Sequence, residues 1–99
     1  KDLIYQWFVY LQKQDTQAFI YVQKKLIKSF KEKTQQFTGL SVLMFYYQEA
    51  QRQAVANGEY GKVKQINQII ERILIAEQKL RSNVSFQAVA EQFVLHTIF

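Results

Sequence analysis

The chain of 99 residues is 48% hydrophobic and 21% charged, carries a net charge of +5 and contains neither proline nor cysteine. That length fits one domain, the apolar content excludes a disordered chain, and the missing cysteines exclude disulfides, thiolate metal sites and a cysteine nucleophile. With no proline, and only Gly39, Gly58 and Gly61 as glycine breakers, the pattern reads as long helices.

Leu3, Ile4, Trp7, Phe8 and Leu11 recur at three- and four-residue steps behind Asp2, a candidate N-cap, and the pattern fades by Lys13. A polar break, Gln14-Asp15-Thr16, ends this first helix. Asp15 is placed to cap a second one over about 16–31, whose apolar stripe is Phe19, Val22, Leu26 and Phe30. On its opposite face Lys24, Lys28 and Lys31, with Lys25 beside them, form a basic side. Polar residues 32–36 lead into a third helix, with Phe37, Leu40, Met44, Tyr47 and Ala54 on one face and Leu43, Tyr46 and Ala50 on a neighbouring one. The apolar run 40–47 is rich in strand formers. The helical spacing nevertheless continues through Ala50 and Ala54, and no turn residue intervenes before Asn57-Gly58, which favours a helix.

Residues 57–61 read as a loop. From 62 to 81 Val63, Ile66, Ile69, Ile70, Ile73, Ala76 and Leu80 trace a fourth helical stripe, widened by Leu74 and Ile75. Residues 82–85 break it, and Asn83 or Ser85 can cap a fifth helix, in which Phe86, Val89, Ala90 and Phe93 restart the period and which runs nearly to Phe99. The expectation is an all-α chain, one five-helix bundle over residues 1–99.

Reactive chemistry is sparse. His96 is the one histidine and has no carboxylate within four residues, so it reads as a half-buried histidine near a helix end rather than a ligand or base. Glu71 and Glu77 lie too far round their helix to share a proton. Phosphate loops, GxSxG elbows and HExxH helices are missing, so no catalytic residue, metal site or cofactor is assigned. The cluster Lys24, Lys25, Lys28, Lys31 and Lys33 is the best footprint for nucleic acid, but a lysine-rich helix face is more often solvated surface, and direct DNA contact is not favoured.

The apolar excess says more. Leu74, Ile75, Val94, Leu95 and Ile98 lie beside the main stripes, and two readings stand open for them: an interface with a partner chain, or a core that wraps further round each helix. No apolar run reaches the roughly 20 residues of a membrane span, and the first residues do not read as a signal peptide. A start at Lys1 rather than Met points to a domain excised from a longer polypeptide.

From Gln68 to His96 the chain resembles the end of the δ′ subunit family of the bacterial DNA polymerase III clamp loader, whose penultimate helix closes on an Asn-Val-Asn junction before a last amphipathic helix. Leu80, Asn83, Val84 and Ser85 carry the likeness, with Ser85 in place of the second Asn. Trp7 and Leu11, the opening Asp15-Thr16-Gln17-Ala18 and the Asn57-Gly58 loop extend it over nearly the whole chain. Where many relatives have an Arg-Asp pair in the third helix, this chain has Tyr46-Tyr47-Gln48-Glu49, which puts an inter-subunit ion pair there in question. The resemblance implies a C-terminal helical collar domain of a bacterial cytoplasmic AAA+ type subunit, with a γ/τ or δ collar as the near alternative. Its implied work is oligomerisation in DNA replication, not catalysis. The implied partners are γ/τ and δ, and through them the sliding clamp and primed DNA.

Overall fold

A computed structural model describes residues 2–99, with side chains from Leu3 onward. Among the described residues it contains five helices and no strand. They are α1 (Asp2–Gln12), α2 (residues 17–29), α3 (Lys33–Ala56), α4 (Tyr60–Arg81) and α5 (Phe86–Ile98). The run 40–47 is therefore helical, as its continuing period argued. The capping side chain of Asp2 lies outside the described residues.

Three boundaries differ from the sequence reading: α3 already begins at Lys33, inside the polar stretch 32–36 read as leading into it. α2 is shorter than 16–31 and is not uniform: Gln17–Tyr21 and Ile27–Ser29 are α-helical, but Val22–Leu26 forms a π turn in which the Ile27 N–H reaches the Val22 carbonyl. α4 begins at Tyr60, so the loop is 57–59 rather than 57–61. Gly58 alone supplies the reversal, at φ +71°, and Gly61 already lies inside the helix.

Three of the four connections use one closing device. After α1 the Gln14 and Asp15 amides bond back to the Leu11 and Tyr10 carbonyls at 3.0 Å each. After α3 those of Gly58 and Glu59 reach Val55 and Ala54, and after α4 those of Asn83 and Val84 reach Leu80 and Lys79. Each is a Schellman closure, which satisfies carbonyls orphaned at the helix end and needs a left-handed residue just past it. Gln14 (φ 54°), Gly58 and Asn83 (φ 67°) occupy those positions. The starts of α2 and α5 are capped by side chains. Asp15 Oδ1 accepts from the Gln17 amide at 2.9 Å, and Ser85 Oγ accepts from the Ala88 amide at 3.1 Å. Of the two residues read as caps for α5, Ser85 thus opens that helix while Asn83 closes α4.

The α2–α3 turn is tied differently. Gln35 Oε1 accepts from the Lys31 and Glu32 amides, and Gln36 Nε2 donates to the Phe30 carbonyl. Short connections force sequential helices to double back on each other. α3 and α4 form the longest such hairpin, with Val55 and Tyr60 exposed at its tip. α1 packs against its α3 arm and α5 against its α4 arm.

One core runs through all five helices. Ile4, Trp7, Leu11, Val22, Leu26, Leu40, Leu43, Tyr47, Ile73, Leu80, Val89 and Val94 are its largest fully buried members. Side chains of this size each contribute about 1.5–3 kcal/mol on burial. Trp7 ties the layers polar-wise as well, donating from Nε1 to the Ala18 carbonyl at 3.2 Å, and the Tyr21 hydroxyl donates to the Leu3 carbonyl at 2.8 Å. Among the described residues no helix is long and apolar enough to cross a membrane.

Candidate functional site

Three of the five flank residues, Leu74, Ile75 and Leu95, stand on the surface, exposed at 49, 48 and 39%. Ile98 is half-buried and packs on the core. Val94 is a correction: it is wholly buried and belongs to the core. One position separates it from Leu95, which turns the side chain by about 100° round a helix of 3.6 residues per turn and carries it from solvent to the interior.

Ile75 borders a groove of about 260 Å³ along the α4–α5 seam. Arg72, Ala76 and Lys79 complete the α4 wall; Val89, Gln92, Phe93 and His96 make the α5 wall. These residues repeat at three- and four-residue steps on both helices, so each wall is one helix face. Ala76, Val89 and Phe93 are buried and give an apolar floor, while Lys79 stands exposed at the rim. His96 is exposed beside this groove rather than half-buried. Among the described residues no cluster of His, Cys, Asp or Glu is arranged to hold a metal. The groove can receive an apolar side chain edged by negative charge; it presents no nucleophile with an adjacent base.

Lys24, Lys25, Lys28 and Lys31 are all exposed, and three of them border depressions. Lys24 and Lys25 border a depression against α1, with Leu3, Gln6 and Tyr10. Lys31 borders a different one, with Phe86 and Gln87 at the start of α5. Lys33 donates to Asn83 Oδ1 and so latches the start of α3 to the α4–α5 turn.

An aromatic cluster on α1 and α3 escaped sequence reasoning. Tyr5 and Phe45 are about half exposed, and both stack on Tyr46 at ring-centroid distances of 5.2 and 5.9 Å. The signal was present in the neighbouring-face position of Tyr46, but periodicity alone does not say how far round a helix its neighbours reach. Below it Tyr47 is wholly buried, and its hydroxyl has no hydrogen-bond partner among the described residues. Burial drives that phenol well above its ordinary value, opposed by the Arg72 charge.

Comparison with protein-family models, with curated proteins and with solved structures returns no match for this chain.

Proposed function

We propose that the chain is a non-catalytic helical assembly module whose exposed α4–α5 flank is covered by other subunits, and that its setting is the collar of a bacterial clamp loader. The observation that carries the assembly reading is Ile75, about half exposed at the edge of an apolar-floored groove, with Leu74 equally exposed beside it in the chain. Large aliphatic side chains beside such a groove mark a surface that gains by being covered. The Asn83-Val84-Ser85 junction supports the collar setting through the family likeness, and its chemistry is intact: Ser85 caps α5 as the second Asn would.

On this reading the partners are γ/τ and δ subunits of a cytoplasmic replication complex, and the sliding clamp and primed DNA are reached only through them. On this reading the work of the chain is binding, with no cofactor and no reaction assigned to it. Reconstitution with purified γ/τ and δ, with size-exclusion chromatography of the mixture, tests it. Co-elution is expected, and Ile75→Asp and Leu95→Asp are expected to weaken it while leaving the melting temperature unchanged. A chain that never co-elutes with those subunits refutes the collar setting.

A further inference from the structure

Along the exposed side of α4, Glu71, Ile75 and Lys79 succeed one another at four-residue steps and so form one ridge on the helix surface. Ile75 is 48% exposed, and Glu71 and Lys79 are exposed on either side of it, one turn before and one turn after. Among the described residues the ion pair within the chain is Arg52 with Glu49, so neither Glu71 nor Lys79 is neutralised by its own fold. Ala76, immediately beside the ridge, has only a methyl group and leaves the groove toward α5 open.

We propose that this ridge is a self-recognition surface on which a second copy of the chain docks, its α4 antiparallel to the first and related by a two-fold axis at Ile75. A two-fold contact must be self-complementary, each element meeting its own copy reversed. Ile75 is equidistant from Glu71 and Lys79. Antiparallel docking therefore sets Ile75 on its own copy, Glu71 opposite the partner's Lys79 and Lys79 opposite the partner's Glu71. Parallel docking would oppose like charges at both ends, which disfavours it.

The proposal concerns the chain alone and holds without any clamp-loader subunit. A single helix crossing falls below the roughly 1,200 Å² of a standard interface, so the dimer is weak and is sought at high concentration and low salt.

Sedimentation equilibrium of the 99-residue chain up to millimolar concentration tests it, with thermal melts of every variant as the folding control. The native chain is expected to show a reversible monomer–dimer equilibrium. Glu71→Lys and Lys79→Glu each turn two attractive pairs into repulsive ones, and a weakening of about tenfold is expected from either. An equimolar mixture of these two variants restores both pairs and should recover dimerisation, as should the doubly reversed chain. Ile75→Asp should abolish it. A native chain monomeric throughout, a dimer indifferent to either reversal, or a mixture that fails to recover would each overturn the proposal. Co-elution with γ/τ without self-association would overturn it too, and would leave the collar reading standing.

Discussion

Replacing Tyr47 by Phe should stabilise this protein, which inverts the usual outcome for a fully buried core residue. The ring of Tyr47 packs edge-on to Phe8 at 4.9 Å and has no solvent exposure, yet its hydroxyl finds no partner among the described residues. A buried polar group left unpaired costs about 1–3 kcal/mol, whereas Phe keeps the ring contacts and leaves only an atom-sized void. The net gain expected is about 1 kcal/mol, or about 4–8 °C in melting temperature for a domain of this size. The alkaline side carries a second signature. Burial raises the Tyr47 phenol above its ordinary 10.0, so above that pH the unfolded chain releases a proton that the folded chain retains. Stability is fully present below about pH 10 and falls as pH rises beyond it, by up to about 1.4 kcal/mol per pH unit. Tyr21 adds a smaller contribution of the same sign, from its own desolvation and from Tyr10. Denaturant unfolding of the native chain and Tyr47→Phe at neutral pH and above pH 10 reads both effects. A variant destabilised by about 2 kcal/mol or more would show that the hydroxyl is hydrogen-bonded, an alkaline slope unchanged by the substitution would show that its titration is not shifted by folding, and either result would refute the reasoning.

Val94→Asp places a charge in the core and should leave the chain largely unfolded by circular dichroism, whereas Leu95→Asp, one position on, should melt within about 0.5 kcal/mol of the native chain. Gln14→Gly removes a side chain from a left-handed position at the end of α1, and a gain of about 0.5–1 kcal/mol in chemical denaturation is expected. The triple change Lys24→Gln, Lys28→Gln and Lys31→Gln should leave electrophoretic retention of DNA at low salt as weak as that of the native chain, since Lys24 and Lys31 border different depressions.

The residues that repeat with the helical period gave away the fold. Ile66, Ile73, Ala76 and Leu80 are buried as the stripe of α4 required, and Phe86, Val89, Ala90 and Phe93 as that of α5 did. What periodicity could not decide was the width of each buried arc. Val94 and Leu95 both flank the α5 stripe, and only the positions of α1 and α2 against that helix determine which one is covered. The left-handed Gln14 was illegible for a related reason. Gly58 and Asn83 belong to the residue types that adopt positive φ readily, while glutamine does so only where the closing bonds of the turn compel it. The candidate groove was half visible: Ile75 was singled out, but its α5 wall depends on how two helices meet.

α2 shows most clearly how one backbone irregularity rewrites a functional reading. Four lysines at four- and three-residue steps describe a single basic stripe only if the helix is regular throughout. The π turn at Val22–Leu26 lets both Val22 and Leu26 stay buried, but it admits an extra residue into that turn and rotates everything beyond it relative to what precedes. Lys24 and Lys25 lie inside the turn and look toward α1. Lys31 lies past Phe30, whose extended backbone (φ −113°, ψ 79°) has already left the helix, and it looks toward α5. Dense phosphate binding needs several cations tracking one backbone, and Lys24 and Lys31 border different depressions. The charge that remains organised is on α4, where an acid and a base bracket an exposed isoleucine at equal steps. Such bracketing favours the proposed contact between protein surfaces.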